Sequence, residues 1–457
     1  MSNKTPTTNK AVALISLGCD KNRIDTENML YEFLDKGYTF AEDKNQADVI
    51  VVNTCAFIGE ARREAINTIL EAATCKQDGI CKKLIVTGCL SQKYAEEIAI
   101  ELPEVDAFLG VGDYGAIERI LSELFNPDAN ALKIQQKQII LTQKQNPLLQ
   151  PQKRILTTPS HFAYLRVSDG CNNKCSFCTI PSIRGNYISR TIDSLVDEAK
   201  FLIDSGASEI ILVAQDTTNY GFDLSGKRQL LPLLDKLTAL DIKKIRLMYC
   251  YPHLVSDDLI DYIASNEKLA KYIDMPLQHV GDRILKLMHR PSTYKSICNL
   301  FNKIKSAKTH IAVRTTFMVG FPTETDDEFN TLYNFTKEFA PDHVGIFSYS
   351  KEDGTPAAKL KGQVHAKLKK QRHEKLAELH YQNVLKRGNA YIGKTLSVVY
   401  EGIDFNKNLF YGRTEYNAPD VDTQVYFTGD FCDLGQEYNV TITGTDGYDL
   451  VGKISDN

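Results

Sequence analysis

Two rhythms of hydrophobic and polar positions alternate along the first 110 residues of the chain. Short apolar runs typical of buried strands lie at residues 12–17, 49–52, 84–87 and 107–110. Between these runs, apolar residues recur at helical spacing in three segments, at residues 25–36, 60–73 and 92–101. Strands that alternate with helices predict a parallel α/β sheet flanked by helices.

The middle of the chain repeats the strand-and-helix rhythm after a break. From about residue 126 to 159 the pattern dissolves into Gln, Lys and Pro, which is typical of a linker, with room for a short edge strand. Six strand candidates follow, at residues 164–167, 210–214, 245–249, 272–275, 313–318 and 343–348. Six βα units are too few for an eight-stranded barrel, and they predict an open partial TIM-like barrel whose reactive face is the C-terminal edge of its strands.

The last hundred residues change pattern twice. Residues 364–387 predict one long polar helix, a connector with a solvated face. Five short strands then follow, at residues 395–400, 409–413, 424–428, 438–443 and 449–453, and they predict a small OB-like β-barrel. We therefore expect an α/β protein with an N-terminal α/β sheet domain (1–125), a linker (126–160), a partial (βα)6 barrel with its connecting helix (161–388) and a terminal β-barrel (389–457).

Composition narrows the class of protein. A chain of 457 residues is long enough for two to four domains. No window approaches the roughly 18 uninterrupted apolar residues of a membrane span, and the first residues lack the apolar core of a secretory signal. We therefore expect a cytoplasmic enzyme. The formal net charge of -4 argues against a protein whose main role is to coat nucleic acid.

Eleven cysteines are unusual for such a chain. Because the cytosol keeps thiols reduced, clustered cysteines are better explained by metal binding or catalysis than by disulfides. Five cysteines form no pattern and are interpreted as small buried hydrophobic residues: Cys75, Cys81, Cys250, Cys298 and Cys432.

Three other cysteines form a C-x3-C-x2-C motif directly after the first strand of the partial barrel, in SDGCNNKCSFCTIPS. Cys171, Cys175 and Cys178 can hold three irons of a cubane cluster and leave the fourth iron open. An open iron at a barrel mouth can chelate the amino and carboxylate groups of S-adenosylmethionine. The alternatives are a three-thiolate zinc site and chance spacing.

This motif resembles the signature of the radical S-adenosylmethionine superfamily, which has an aromatic residue before the last cysteine, here Phe177. The resemblance implies that one electron passes from the cluster into the sulfonium of the cofactor. Homolytic cleavage then yields a 5′-deoxyadenosyl radical, which is chemistry of the cofactor rather than of the protein.

A second set of cysteines is scattered in sequence but shares one position in the fold. Cys19, Cys55 and Cys89 each follow a predicted strand of the N-terminal sheet, in LISLGCDKN, IVVNTCAFI and LIVTGCLSQ. Because consecutive βα loops gather at one edge of a parallel sheet, the three thiols can converge on a second open-iron cluster. Three unrelated buried cysteines, or one redox thiol, are the alternatives. Cys75 and Cys81 could compete as ligands, but we expect them at the opposite edge.

The segments GCDKNRIDTE and NTCAFI and the later GC resemble the N-terminal domain of methylthiotransferases. The resemblance implies that Cys19, Cys55 and Cys89 hold an auxiliary cluster, so that the cofactors are two [4Fe-4S] clusters and S-adenosyl-L-methionine. One cofactor molecule then supplies a methyl group to sulfur at the auxiliary cluster, and another supplies the radical.

Within that family, SLGCDKN, CAFIGEAR and CTIPSIRG resemble the branch that methylthiolates the β-carbon of an aspartate in small-subunit ribosomal protein twelve. Asp20 departs from the Pro that this branch often has. The implied partners are that ribosomal protein, free or within its subunit, and a low-potential electron donor such as flavodoxin or ferredoxin. The nearest alternative is a tRNA adenosine methylthiotransferase. A radical enzyme of another reaction type and a non-enzymatic iron–sulfur carrier are more distant ones.

Polar residues at the ends of the barrel strands are candidates for binding the cofactor. Gln215 and Asp216 end the second strand, Gln278 and His279 follow the fourth, and Arg314 lies on the fifth. A guanidinium such as that of Arg314 can fork onto a carboxylate. The alternatives are strand-end capping for the first pair, a capping histidine and a structural ion pair.

The terminal barrel is acidic. From residue 391 onward there are 11 acidic side chains against four basic ones, a formal charge of 4 - 11 = -7. Such a surface repels phosphate backbones and attracts a basic protein. The barrel resembles the TRAM domain, which binds RNA in tRNA-modifying relatives, so the acidity is a departure that favours a protein substrate. Charge that serves only solubility is the alternative.

Overall fold

The computed structural model of the protein describes residues 10–56, 58–125, 138–142 and 153–455. The chain forms two compact units. The first comprises Met1–Thr157, Ser168–Asn173 and Thr179–Arg190, and the second comprises Thr158–Val167, Lys174–Cys178 and Thr191–Asn457. Among the described residues, none of the helices combines the length and the apolar character that a membrane span requires.

The first unit is built on a parallel sheet of six strands in the order β2-β1-β3-β4-β5-β6. The strands are β1 (Ala11–Ser16), β2 (Thr39–Phe40), β3 (Val49–Thr54), β4 (Lys83–Gly88), β5 (Ala107–Leu109) and β6 (Ile139–Leu141). The helices are α1 (Asp20–Asp35), α2 (Gly59–Asp78), α3 (Cys89–Glu101) and α4 (Ile117–Phe125). The predicted parallel α/β sheet is confirmed. Strand β6 is an edge strand within the predicted linker, most of which lies outside the described residues.

Both faces of this sheet are covered, which explains why its central strand reads as a continuous apolar run. All six residues of β3 are buried. Because successive side chains of a strand point to opposite faces, Ile50 and Val52 join the core that contains residues of α2 and α3. Val49 and Val51 join the core that contains residues of α1 and α4.

The second unit contains the six predicted barrel strands, in two parallel three-stranded sheets ordered β11-β10-β7 and β12-β13-β14. Their bounds are β7 (Phe162–Arg166), β10 (Glu209–Val213), β11 (Lys244–Leu247), β12 (Tyr272–Asp274), β13 (Ala312–Val319) and β14 (His343–Ser348). A parallel bridge between Ile245 and Leu269 connects the two sheets. Within residues 153–455 no pairing joins β7 to β14, so the strands form the open partial barrel that was predicted.

Seven helices accompany these strands: α6 (Ile192–Asp204), α7 (Phe222–Ser225), α8 (Leu230–Thr238), α9 (Asp257–Ser265), α10 (Asp282–Leu287), α11 (Tyr294–Lys305) and α12 (Asp326–Phe339). A short hairpin of β8 (Ser168–Asp169) and β9 (Ile188–Ser189), with α5 (Ile180–Arg184) between its strands, belongs to the first unit. The chain therefore leaves the second unit after β7, returns to it briefly at Lys174–Cys178, and returns again at α6.

The long polar helix is α13 (Ala366–Tyr391), and it is less solvated than its composition suggests. One stripe of the helix is buried, at every fourth residue: Arg372, Leu376, His380, Val384 and Gly388. The buried Arg372 donates to Glu324 at 2.7 Å and to Asp326 at 2.7 Å. The connector therefore packs against the partial barrel through a stripe of mixed polar and apolar residues that simple hydrophobic periodicity does not reveal.

A closed five-stranded barrel ends the chain, as predicted. Its strands are β15 (Thr395–Asp404), β16 (Leu409–Arg413), β17 (Val425–Thr428), β18 (Glu437–Asp446) and β19 (Asp449–Ile454). Arg413 attaches this barrel to the partial barrel, because its guanidinium lies between Glu401 and Glu209 of β10. Burial opposes ionisation of Glu209, but Arg246 and Arg413 outweigh it and lower its pKa to about 2.

Candidate metal centres

The ends of three adjacent parallel strands place Cys19, Cys55 and Cys89 at one edge of the first unit. Cys19 precedes the first residue of α1, Cys55 follows β3, and Cys89 is the first residue of α3 directly after β4. Cys19 and Cys55 both lie close enough to Cys89 for their charges to act on its thiol. The structure thus brings together the scattered cysteines that the sequence analysis grouped.

Two glycines allow the loops to approach this closely. Gly18 and Gly88 adopt φ values of 92° and 93°, a region that side chains with a Cβ rarely adopt. A Cβ at Gly18 would lie 2.7 Å from the Cβ of Cys55, and one at Gly88 would lie 2.8 Å from the backbone nitrogen of Thr54. Any larger residue would therefore push the cysteine-bearing loops apart.

The side chain of Asn22 forms hydrogen bonds to the same loops. Its amide group donates to the carbonyl oxygens of Leu17 at 2.9 Å and Thr54 at 3.0 Å. Its Oδ1 lies 3.8 Å from the Sγ of Cys89. One buried side chain thus joins the segments after β1 and β3 to the third cysteine, so the asparagine of the SLGCDKN motif has a structural role.

Arg184, within the segment CTIPSIRG, is the cation of this site, and the local sequence predicts no role for it. Its guanidinium donates to Asp169 at 2.9 Å, to the Oδ1 of Asn22 at 2.9 Å and to Asp25 at 3.0 Å. The side chain is only 2% exposed. Its charge acts on Cys89, where it favours the thiolate.

The protonation of the Cys89 thiol fits a metal site that must be loaded. Burial raises the pKa of Cys89 to about 12, an effect that Arg184 only partly opposes. The thiol therefore keeps its proton at neutral pH until a metal displaces it. Cys55 is buried, whereas Cys19 is exposed and borders a groove of about 380 Å³ that also contacts Arg23, Leu30 and Phe40. The groove gives small molecules access to the site.

The two competing cysteines lie elsewhere in the first unit. Cys81 precedes β4 whereas Cys89 follows it, so the length of a six-residue strand, roughly 20 Å, separates them. Cys75 lies at 3.3 Å from the Oδ1 of Asn45, and Cys81 at 3.3 Å from the carbonyl oxygen of Lys83. Both thiols are therefore at the opposite edge, as expected.

The C-x3-C-x2-C motif lies between β8 and α5. Cys171 belongs to the first unit, where its backbone N–H donates to the carbonyl oxygen of Gly185 at 3.1 Å. Cys175 and Cys178 belong to the second unit, and the N–H of Cys178 donates to the carbonyl oxygen of Cys175 at 3.1 Å. All three side chains are partly exposed, so their sulfurs are accessible to iron.

Two residues beside Cys175 were missed by sequence reasoning. The hydroxyl of Tyr251 lies 3.2 Å from the Sγ of Cys175, and a guanidinium nitrogen of Arg290 lies 3.8 Å from it. Burial raises the pKa of Tyr251, so the hydroxyl keeps its proton and can donate to a thiolate. Tyr251 follows the third barrel strand, so the rule that pointed to Gln215 and Asp216 could have found it. No pattern in the sequence around Arg290 indicates its contact with Cys175.

Phe177 anchors the motif. It packs against an apolar cluster of the second unit that includes Ile284, Met288 and Phe321. Next to it, the backbone of Ser176 accepts a hydrogen bond from Ala357 at 2.8 Å and donates one to Met288 at 3.1 Å. The aromatic residue of the motif thus fixes the loop, and its predicted role beside the cofactor stays a prediction.

The polar residues at the strand ends form hydrogen bonds to neighbouring residues of the protein. Asp216 accepts hydrogen bonds from the hydroxyl of Thr218 at 2.7 Å and from the N–H of Asn219 at 3.2 Å. This is the capping arrangement that was the alternative for this strand end. Gln278 has a φ of 69°, and its backbone bonds to Thr316 and Met318 at 2.7 Å each. Contact of Gln215, Asp216 or Gln278 with the cofactor stays a prediction.

His279 shows the arrangement of a structural histidine. Its Nδ1 accepts from the N–H of Gly281 at 2.8 Å, so Nε2 carries the proton and donates to Glu324 at 3.2 Å. Both ring nitrogens are used, and the side chain is completely buried. This is the capping alternative, and cofactor binding by His279 receives no support from its position.

Arg314 likewise shows the structural ion pair that was left open. Its guanidinium contacts Asp274 at 3.3 Å and Asp422 of the terminal barrel at 3.1 Å. Asp422 also accepts from the hydroxyl of Tyr272 at 2.8 Å and from the N–H of Ala418 at 2.8 Å. Arg314 therefore attaches the terminal barrel to the partial barrel, and its binding of a cofactor carboxylate is not supported by this geometry.

This attachment predicts a large effect on stability. Replacing Asp422 by Asn should lower the free energy of unfolding by roughly 3 kcal/mol, because it leaves the buried charge of Arg314 without one of its partners. The matched change at the exposed Asp430 should alter it by less than about 0.5 kcal/mol. Urea unfolding of both variants measures the difference, and equal values would contradict the structural role of Asp422.

A single metal ion is a poor fit to these cysteines. Within the described ranges, no three His, Cys, Asp or Glu side chains converge as ligands of one ion do. In a cubane cluster each thiolate binds its own iron, so the sulfurs surround a larger volume. Two sets of three soft thiolates suit iron–sulfur clusters by their chemistry.

Comparison with known proteins agrees with this description. Residues 11–110 match the family described as "Uncharacterized protein family UPF0004", residues 165–336 match the Radical SAM superfamily and residues 392–454 match the TRAM domain. A partial barrel that carries the C-x3-C-x2-C motif defines a radical S-adenosylmethionine enzyme, a class that uses this cofactor with a [4Fe-4S] cluster.

Full-length relatives identify the family. The chain is 40% identical over 447 residues to the ribosomal protein uS12 methylthiotransferase RimO of Acetivibrio thermocellus, covering 97% of this chain and 98% of the relative. It is 43% identical over 444 residues to the RimO of Clostridium acetobutylicum, covering 96% and 97%. The chain belongs to the RimO family of methylthiotransferases, which confirms the predicted branch.

A likeness to solved structures concerns the fold alone. The radical S-adenosylmethionine methyltransferase TsrM from Kitasatospora setae, solved with cobalamin and a [4Fe-4S] cluster, has a TM-score of 0.55 at 14% identity. The match covers 77% of this chain and 74% of TsrM. The shared architecture therefore extends beyond the partial barrel.

Proposed function

We propose that this protein replaces a hydrogen on the β-carbon of an aspartate in ribosomal protein uS12 by a methylthio group. Membership in the RimO family supports the reaction and the substrate. The observation that carries the proposal is the convergence of Cys19, Cys55 and Cys89 at one sheet edge, in a chain that also carries the C-x3-C-x2-C motif. A radical enzyme that did not transfer sulfur would need only the motif.

Each set of cysteines has its own task in this proposal. Cys171, Cys175 and Cys178 hold the cluster that binds S-adenosylmethionine, and Tyr251 and Arg290 stabilise the thiolate of Cys175 by hydrogen bonding and charge. Cys19, Cys55 and Cys89 hold an auxiliary cluster that carries the sulfur. When bound, these cofactors supply the methyl group, the sulfur and the 5′-deoxyadenosyl radical.

The C–H bond of the target aspartate explains why the reaction requires a radical. A C–H bond beside a carboxylate is not acidic enough for a side-chain base to remove its proton readily at neutral pH. The polypeptide therefore has to hold the substrate, exclude water and keep the thiolates in place. A low-potential donor such as flavodoxin or ferredoxin supplies the electrons, and a ribosomal substrate implies a cytoplasmic location.

The terminal barrel offers a surface for a basic partner, although a smaller one than the sequence count suggests. Glu401 and Asp422 are buried in the attachment to the partial barrel, so they contribute little to the surface. Asp430, Asp433 and Glu437 are exposed around the connection between β17 and β18. Phe431 in the same loop is 73% exposed. We define these three acids as the acidic patch.

Reversing the charge of the acidic patch should slow modification of uS12. Replacing Asp430, Asp433 and Glu437 by Lys should lower kcat/KM on this basic protein roughly tenfold at low salt, because electrostatic attraction speeds association. The effect should shrink as salt rises, since charges are screened beyond roughly 10 Å at 0.1 M ionic strength. Steady-state rates at several salt concentrations measure both effects.

The control reverses three exposed acids of α3, Glu96, Glu97 and Glu101, which changes the net charge equally. Substrate-free cleavage of the cofactor should be the same in both variants. An equal loss of rate in the two variants would contradict a local role of the acidic patch.

The deciding experiment offers the purified, reconstituted enzyme both uS12 and tRNA and reads each product by mass. We expect a methylthio group on the uS12 aspartate and none on tRNA adenosine. The opposite result would replace this proposal by its nearest rival, a tRNA methylthiotransferase. Mass spectrometry of ribosomal proteins and tRNA from a deletion strain tests the same distinction in cells.

A further inference from the structure

One buried cation in the first unit lies between the chain segment of Cys171 and the helix that follows Cys19. Arg184 lies six residues after Cys178 in sequence, yet its guanidinium is at the auxiliary site, where its charge acts on Cys89 and Cys19. It bonds to α1 through Asn22 and Asp25 and to β8 through Asp169. An arginine used only for packing would not need to bridge two separate segments.

The residue after Arg184 completes the connection. The carbonyl oxygen of Gly185 accepts the backbone N–H of Cys171 at 3.1 Å. Close by, the side chain of Asn172 accepts the N–H of Tyr187 at 3.0 Å. The segment that carries the first cysteine of the motif is thus hydrogen bonded to the chain around Arg184, while the arginine side chain is bonded to α1, the helix that follows Cys19.

The charge of Arg184 also affects how readily a cluster on Cys19, Cys55 and Cys89 is reduced. A cluster with three thiolate ligands is negative and gains a further negative charge when it is reduced. A cation that is only 2% exposed is poorly screened by water, so its charge favours the reduced state. Asp169 and Asp25, in contact with the guanidinium at 2.9 Å and 3.0 Å, have the opposite effect.

We propose that Arg184 is a positioning residue of the reaction: it fixes the Cys171 segment relative to the auxiliary thiolates and raises the reduction potential of the auxiliary cluster. This inference rests on the proposed function, because it requires a cluster on Cys19, Cys55 and Cys89. It assigns to the arginine of the SIRG segment a role in transferring the methylthio group rather than in cleaving the cofactor.

The effect of Arg184 on the reduction potential is tested in a protein whose Cys171, Cys175 and Cys178 are replaced by Ala. Only the auxiliary cluster is then present. Redox titration followed by electron paramagnetic resonance measures its potential. Arg184→Gln should make reduction at least tenfold less favourable, which is ~59 mV for a one-electron couple. Asp25→Asn should shift the potential in the opposite direction, and Arg184→Lys, which keeps the charge, should shift it least.

The positioning part is tested in the chain with all its cysteines. Arg184→Lys cannot form the three-way contact, so it should give several-fold fewer methylthio groups per 5′-deoxyadenosine formed, a ratio that does not depend on how fast the variant cleaves S-adenosylmethionine. Arg154→Lys is the matched control, because Arg154 also forms a buried ion pair with α1, through Glu27. Its ratio of products should equal that of the unaltered protein.

The outcomes separate this inference from the proposed function. If the chain with only Cys19, Cys55 and Cys89 binds no cluster while Arg184 is intact, the proposed function is wrong and this inference is wrong with it. If the cluster is present but its potential does not respond in opposite directions to Arg184→Gln and Asp25→Asn, or if both lysine variants lower the product ratio equally, only the inference is overturned.

Discussion

Replacing Cys171, Cys175 and Cys178 together by Ala is expected to abolish reductive cleavage of S-adenosylmethionine. The iron content of the anaerobically reconstituted protein should fall from about eight to about four atoms per chain, because each set of three thiolates suits one cubane. The loss of cleavage should be complete, since no other group in the proposal can deliver an electron to the sulfonium. Iron analysis and chromatography of 5′-deoxyadenosine measure the two effects.

The control for this variant removes three cysteines that belong to neither set. Replacing Cys75, Cys81 and Cys298 by Ala should leave about eight irons and normal cleavage. A chain that keeps all its iron after loss of Cys171, Cys175 and Cys178 would show that the motif is not the ligand set.

Replacing Cys19, Cys55 and Cys89 together by Ala should separate the two halves of the reaction. The variant should keep about four irons and still form 5′-deoxyadenosine, but it should attach no methylthio group to uS12. The physical reason is that cleavage needs only the cluster of the motif, whereas the sulfur has to be held at the auxiliary site. Mass spectrometry of uS12, together with the 5′-deoxyadenosine yield, measures both.

This second variant needs evidence that it is folded, because Cys55 and Cys89 are buried. Circular dichroism and the spectrum of the remaining cluster provide it. Loss of cleavage in a folded variant with that cluster intact would contradict the division of tasks, and sulfur transfer at the normal rate would remove the auxiliary cysteines from the mechanism.

The two cysteine sets were predicted from different kinds of information, one from a local motif and the other from the predicted order of strands. The motif at Cys171 is local, so its spacing alone indicates a cluster. Cys19, Cys55 and Cys89 span 71 residues in sequence (89 - 19 + 1), and they could be grouped only because each follows a strand of a predicted parallel sheet. That topological rule gives the edge of the sheet, but it does not give the side chains that complete the site.

The residues that sequence reasoning missed illustrate the limit. Arg184 reaches Asn22 and Asp25 across about 160 residues of chain. Arg290 reaches Cys175 across 115 residues. Neither contact leaves a pattern in the local sequence, because a long side chain can contact a residue that is far away in sequence from many positions in the fold.

The sequence by itself determined the element order and the sheet and barrel classes, and it predicted both ligand sets, because periodicity, motif spacing and strand ends are local properties of the chain. Only the tertiary structure decided what the charged residues do. Arg314 contacts Asp422, His279 contacts Glu324, and Arg184 contacts the helix that follows Cys19. A charge is satisfied by whichever opposite charge the fold brings near it, and that partner depends on packing between elements far apart in sequence.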